Sequence, residues 1–387
     1  MATLNMIDFF PKTTVTGAAF CNREKERKLL IRYITIGRHI WIQAHRRHGK
    51  TSLVAQAIED AKKDHKLSYA RCHLRFASDM ESCIRKLIQT IDFLIYDILK
   101  TKHDSDDVGT FISKFSGIIN NAFKRLKPSI AIQGGRPVIS TTQTYDLNTL
   151  EDALSGLDNI ASKFNIRVVM LIDEFQEIGK LAEHQQIESA IRQSVEDSTN
   201  TTFIFAGSER TLMAQSLGDK KRPLYKHTQP IELERISDKS YLLHLNRLSK
   251  KQWQTHLEDD VFAQIMYLTQ RHPYYVNWLC DELWLNDSAP TLDDVNESWA
   301  KVVYHSSRED AHEVRSLTLN EKKLVIAIAK GMNKSMTSAK VASQLKMAPS
   351  SITRALDNLL RKDMIDKDQN TFYIVNPAIA TQAVQEG

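Results

Sequence analysis

Two apolar patterns alternate along the chain. Short continuous runs rich in β-branched and aromatic residues, at 39–42, 67–74, 167–172, 202–207 and 230–233, predict strands buried on both faces of a parallel sheet. Between them apolar residues recur at helical spacing, at 52–58, from 79 to about 100, and at 187–194. Past the last run the pattern is helical only, at 238–256, 259–270 and 274–285, with Pro273 at a helix start where its missing N–H costs little. The expectation is an α/β core followed by a helical region. One interruption stands out: a polar stretch at 101–107, a helical piece at 111–126 and a Gly-rich, hairpin-like segment around 133–137. It reads as an insertion on a loop edge, either a partner surface or a passive elaboration.

The last seventy residues change rhythm. Residues 324–329 predict a helix stopped by Gly331, 337–345 a second, and Met347-Ala348-Pro349-Ser350 a turn into a third that runs to Lys362. Ile352, Leu356, Leu359 and Leu360 would form its buried stripe, leaving Ser351, Thr353, Arg354, Asn358, Arg361 and Lys362 suited to phosphate and base-edge contacts in a major groove. A hairpin turn at 366–370 and a strand at 371–375 complete the outline of a winged helix.

Candidate chemistry sits at the ends of two predicted strands. Directly after the first comes Ala44-His45-Arg46-Arg47-His48-Gly49-Lys50-Thr51, followed by Ser52 and a helix. That is the setting of a phosphate-binding loop, whose backbone amides surround a β-phosphate while Lys50 reaches the β and γ oxygens and Thr51 ligates Mg²⁺. Ala44 replaces the usual opening glycine, which is tolerable where φ stays negative. A Gly-Lys-Thr tripeptide alone is equally an ordinary helix start, so a second motif has to decide. The run ending Leu171-Ile172-Asp173-Glu174 supplies it as a Walker B strand, with Asp173 in the Mg²⁺ shell and Glu174 polarising the attacking water. Ser208, at the tip of the next strand, stands where ring and switch ATPases keep a polar residue that meets the γ-phosphate or the lytic water, though Gly-Ser is also ordinary turn chemistry.

Composition narrows the setting. A chain of 387 residues has room for two or three domains, each with its own core. Its four cysteines show neither paired disulfide spacing nor metal-ligand spacing, and read as reduced, mostly buried thiols. No apolar stretch is long enough to cross a bilayer, and the N-terminus lacks the layout of a signal peptide, so no membrane role and a cytoplasmic location are expected. Net charge is +5, and from Glu313 onward eleven Lys and Arg face seven acids. A basic C-terminal module fits a polyanionic partner, or an ordinary solvated surface.

Four segments in order, the loop through Leu53, the run Leu171 to Gln176, Gly207-Ser208-Glu209-Arg210-Thr211-Leu212-Met213 and His272-Pro273-Tyr274-Tyr275-Val276, resemble the archaeal-type ATPase family of the STAND branch of AAA+-related P-loop proteins. The resemblance covers nearly the whole chain. It implies ATP or ADP as ligand with Mg²⁺, and a core at 1–235 with its insertion at about 101–147. It further implies a helical lid at 236–312, a winged helix at 313–387, Arg23 in a segment lining the adenine pocket, and Pro273 against the base. Related ATPases place a trans-acting arginine where Arg222 lies, with Arg210 as the other candidate; for Arg222, within Lys220-Lys221-Arg222, a basic loop is the plainer reading.

Two function classes follow. One is an ATPase or molecular switch whose winged helix senses or delivers the output, with duplex DNA, a protein, or further copies of the chain as partners. The other is a DNA-binding regulator, or a protein-binding switch, whose nucleotide pocket is slow or vestigial.

Overall fold

The five apolar runs form one parallel sheet. In the computed structural model, which describes residues 9–11, 13–102, 108–133, 136–142 and 144–386, the chain divides into two compact units. One comprises Glu24–Arg46 and Leu53–Leu233; the other comprises Met1–Arg23, Arg47–Ser52 and Glu234–Gly387.

The sheet unit begins with α1 (Glu24–Thr35), β1 (Ile40–Gln43), α2 (Lys50–Ala61, whose first turn belongs to the other unit), β2 (Leu67–His73) and α3 (Met80–Lys100). Asp79 caps α3 in a reciprocal box with Ser82, and one face of the helix, Leu87, Ile91, Leu94 and Ile98 among others, is fully buried. The insertion folds as α4 (Val108–Ala122) and an antiparallel hairpin of β3 (Ser129–Gln133) and β4 (Arg136–Ser140). The expected turn glycines, Gly134 and Gly135, and residues 103–107 lie outside the described residues. α4 ends earlier than the apolar spacing predicts because the N–H groups of Lys124, Arg125 and Leu126 turn to the Asp152 carboxylate at 2.8–3.0 Å. Asp152 lies on α5 (Leu147–Phe164), a helix the sequence reading did not specify.

Then follow β5 (Arg167–Asp173), α6 (Gln176–Gly179), α7 (His184–Asp197), β6 (Thr201–Gly207), α8 (Arg210–Gly218) and β7 (Gln229–Glu232). The strand order is β2-β5-β6-β1-β7 and every pairing is parallel. β6 is buried throughout and β5 nearly so, which is why both read as unbroken apolar runs. Register fixes the functional edge: Gln43 pairs with Gly207 and Asp173 with Ala206, so β1, β5 and β6 all finish at one side of the sheet. Ligands of open α/β sheets bind outside this carboxyl edge.

The second unit carries α9 (Asp238–Trp253), α10 (Asp259–Thr269), α11 (Pro273–Leu283) and α12 (Leu292–Arg315) around a core of Tyr241, Leu245, Tyr275, Leu279 and Trp299. Its winged helix comprises α13 (Leu319–Ala329), α14 (Ala339–Leu345), α15 (Pro349–Arg361), the hairpin of β8 (Ile365–Asp368) and β9 (Thr371–Ile374), and a closing helix, α16 (Pro377–Glu386), that rests on α12 and α13. The wing's turn is tighter than expected. Asp366 to Asp368 belong to the strand, leaving Gln369, in the left-handed region at φ 51°, and Asn370 to reverse the chain. Arg235 ties wing to helices within this unit, donating to the carbonyls of Gln270 (2.7 Å) and Val375 (3.3 Å) with its guanidinium over the Tyr373 ring.

Cys72, Cys83 and Cys280 are buried thiols, and burial pushes Cys72 up to about 11. Among the described residues no helix is long and apolar enough to cross a membrane.

Candidate functional site

β1 delivers the chain into the loop Ala44 to Gly49, and α2 starts at Lys50. Gly49 adopts φ 84°, and a Cβ there would meet nothing within 4 Å among the described residues, so conformation rather than space calls for glycine. Ala44 is buried and is not among the left-handed residues, so its methyl is accommodated without backbone strain. Arg47 is left-handed at φ 62°, its guanidinium 4.2 Å from the centre of the Tyr274 ring. Lys50 and His45 are buried, Arg46 is exposed and Thr51 half-buried. Ser52 Oγ accepts the Val15 N–H at 2.9 Å.

The loop tip is braced from within its own unit. His48, 1% exposed, meets the His272 ring edge-to-face at 4.5 Å. His272 in turn stands 5.2 Å from Tyr275, whose hydroxyl shares hydrogen bonds with Ser306 and Asp310, and Asp310 accepts from Asn376 at 2.8 Å. Arg23, expected in an adenine-lining segment, is buried with its Nη2 donating to the carbonyls of His48 (3.1 Å) and Glu234 (2.9 Å). Pro273 is half-buried at the first turn of α11.

At the sheet's carboxyl edge the two acids have different settings. Asp173, 3% exposed, takes the Arg71 guanidinium on Oδ2 at 2.5 Å and the Glu174 N–H on Oδ1 at 3.0 Å. Arg71 reaches it from the neighbouring strand, where His73 is the residue in register with Asp173. Glu174 is itself left-handed at φ 57°, a kink from which Phe175 N–H returns to Ala206 O. A non-glycine residue in this region is held there by its surroundings. Its Oε2 accepts from Ser208 Oγ at 2.7 Å and from Gln176 Nε2 at 2.5 Å. Glu174 and Ser208 thus meet directly, Asp173 stands next to Glu174 in the chain, and Arg71 and Gln176 join them. Gln176 had a local signal, a polar residue two positions after the acid pair; Arg71 had none.

Arg222 differs from the expectation of a trans-acting group. Its side chain is 13% exposed, ion-paired with the wholly buried Glu188 and donating to Ser216 at 3.1 Å. Burial pushes Glu188 above the ordinary carboxylate range, against the lowering effect of Arg222. The side chain of Arg210 lies outside the described residues.

On α15, Ile352, Ala355, Leu356 and Leu359 are buried, while Thr353, Arg354 and Arg361 are exposed and Ser351 and Asn358 half-buried. Leu360 is half-buried. Lys362 is exposed but already engaged: its Nζ binds Glu321 Oε2 at 2.9 Å, and Glu321 is 1% exposed.

Comparison with known proteins agrees with this architecture. Residues 311–380 match the family described as "Probable winged helix domain". No curated protein sequence matches the chain. Among solved structures, the Walker-type ATPase of Pyrococcus abyssi superposes with a TM-score of 0.69 over 97% of this chain and 99% of its own, at 16% identity. The ORC2 protein of Aeropyrum pernix, solved as ADPNP–ADP complexes, gives 0.54 over 94% of each chain at 13% identity. What these chains share with this one is a fold: a P-loop ATPase sheet, helices, and a C-terminal winged helix.

Proposed function

We propose that the chain is a Mg²⁺-dependent ATPase acting as a molecular switch of the STAND branch, cytoplasmic, with a winged helix that binds duplex DNA. The observation that carries the reading is the acid pair at the sheet's carboxyl edge, one carboxylate buried and the next kinked outward and clasped by Ser208 and Gln176. In this reading residues 1–235 form the core, 236–312 a lid and 313–387 the output module.

The residues fit such a ligand. The loop has an open left-handed glycine, an unstrained alanine and a buried lysine opening a helix, whose first amides attract phosphate. Thr51 and Asp173 offer a hydroxyl and a carboxylate, and Mg²⁺ takes one or two protein oxygens and fills its shell with phosphate oxygens and water. When bound, Mg²⁺ neutralises charge developing on the phosphates. Lys50 would draw the β and γ oxygens, residues 44–49 and Ser52 the phosphate cradle, and Pro273 the base, while Arg23 holds the loop in shape. Glu174 takes a proton from water as its oxygen bonds to the γ-phosphorus and the bond to the β–γ bridging oxygen breaks, releasing ADP and phosphate. Ser208 orients that water or the γ-phosphate. Arg222 is left out, since its buried ion pair occupies it. Ser351, Thr353, Arg354, Asn358 and Arg361 would face DNA.

A second reading, a DNA- or protein-binding regulator with a slow pocket, draws on the ion pair that already engages Asp173. The discriminating experiment is ATP turnover with and without duplex DNA, using Glu174→Gln as control. Losing the general base should cost about 10²- to 10⁴-fold. Hydrolysis stimulated by DNA supports the switch; no hydrolysis by wild type under any condition rejects the ATPase.

A further inference from the structure

We infer that Gln176 is a positioning residue for that hydrolysis, acting through Glu174; the assignment rests on the ATPase reading. Gln176 opens α6 directly beyond the acid pair, yet it is 1% exposed. Its Nε2 reaches Glu174 Oε2 at 2.5 Å and Ser208 Oγ at 3.3 Å, while Ser208 Oγ donates to the same Oε2 at 2.7 Å. Base, hydroxyl and amide therefore close a triangle, with donors from beyond β5 and from the tip of β6 meeting on one carboxylate oxygen. A carboxylate accepts and does not donate, so only the NH₂ side of the amide can face it.

The arrangement is poor as a stability device. Among the described residues Gln176 Oε1, which is buried, has no hydrogen-bond partner, a cost in free energy that an apolar side chain of the same shape would avoid. Room for it exists because position 207 is glycine; a Cβ there would lie 2.2 Å from Oε1. A buried amide with half its capacity unspent, seated against a neighbouring strand stripped of its side chain, is what a site retains to aim a reacting group. With two donors on Oε2, the plane of the Glu174 carboxylate is set before substrate arrives, and the base needs no rotation to meet the water. Preorganisation of this kind lowers the barrier without adding ground-state affinity.

The test compares wild type with Gln176→Leu, Gln176→Glu, Ser208→Ala and the Leu/Ala double variant in the full chain. Readouts are ATP turnover, equilibrium affinity for a fluorescent ATP analogue, and thermal melting. Gln176→Leu should melt no lower than wild type, bind the analogue within about twofold, and lose roughly 10- to 100-fold in kcat with KM little changed, as for an interaction made only in the transition state. The double variant should lose less than the product of the single effects, because both donors serve one oxygen. Gln176→Glu sets a second carboxylate beside Glu174, and its turnover relative to wild type should rise as pH falls and that carboxyl regains a donating O–H. Equal turnover in wild type and Gln176→Leu, or a loss of affinity matching the loss of kcat, overturns the assignment alone. A wild type with no turnover overturns it together with the ATPase reading.

Discussion

Replacing Arg71 with Ala removes a cation from the buried Asp173 carboxylate, 2.5 Å from its Oδ2. Truncating one partner of a fully buried pair costs about 3–5 kcal/mol. The Arg71 side chain is 36% exposed, however, so water takes over part of its role. A charge-assisted hydrogen bond, at about 1.5–3 kcal/mol, is the better measure, and its lower half gives a loss of about 2 kcal/mol. For a unit of this size each kcal/mol moves the melting midpoint by about 2–4 °C, so the nucleotide-free variant should melt roughly 4–8 °C below wild type. Under the ATPase reading, saturating Mg²⁺ with a non-hydrolysable ATP analogue should narrow that gap, because in wild type Mg²⁺ competes with the guanidinium for Asp173 Oδ2, a competition that R71A removes. Circular dichroism melts with and without Mg²⁺ and analogue read both quantities. The reasoning is refuted by a nucleotide-free R71A that melts with wild type, or by a gap that Mg²⁺ and analogue leave unchanged.

Other outcomes follow from single contacts. His39 Nδ1 accepts the Phe203 N–H at 3.1 Å, and burial pushes the ring down to about 4 from 6.5. The unfolded chain therefore takes up the extra proton first, and stability present above pH 6.5 falls as pH drops toward 4, by about 3 kcal/mol at most. Urea midpoints of His39→Gln should flatten over that window; slopes equal to wild type would count against it. Arg222→Ala strands the wholly buried Glu188 and should destabilise the protein by about 3–5 kcal/mol, whereas a trans-acting role would lower turnover and leave the urea midpoint in place. Arg354→Ala and Arg361→Ala should each weaken duplex binding and reduce the salt slope by about one, while Lys362→Ala should lower stability and leave the slope alone; unchanged slopes for both arginines would remove DNA from α15.

Local pattern carried the strands and the loop: burial on both faces makes β5 and β6 continuous apolar runs, β2 departs from that expectation by alternating buried and more open positions, β7 buries only Ile231, and a phosphate loop is a chain-local device. It carried less where distant partners decide. Asp152 ends α4 by taking three amides from the following turn, a choice that no spacing within 111–126 contains. α12 leaves little apolar signal in the sequence, because few of its 24 residues, Val295, Trp299, Val302 and Val303 among them, are buried apolar side chains in a strongly polar stretch. Lys362 and Arg222 looked like unengaged cations until Glu321 and Glu188, each remote in sequence, claimed them. Gln176 was visible as a letter beside the acid pair, but its meaning needs Ser208 and the bare Gly207 on another strand.

The strand order sets a schedule for synthesis. β1 is the second-to-last strand across the sheet but the first made, and among the described residues its strand partners are β6 and β7, so Ile40 waits for Ile204 to be translated. At about 5–20 residues per second that interval is on the order of ten to thirty seconds, during which Ile40-Trp41-Ile42 is an unpaired apolar edge on the ribosome. Its brevity, four residues followed at once by the basic loop, limits what it can template in the meantime. The strand that leads into the loop at 44–49 is thus also an apolar edge that stays unpaired until β6 has been made.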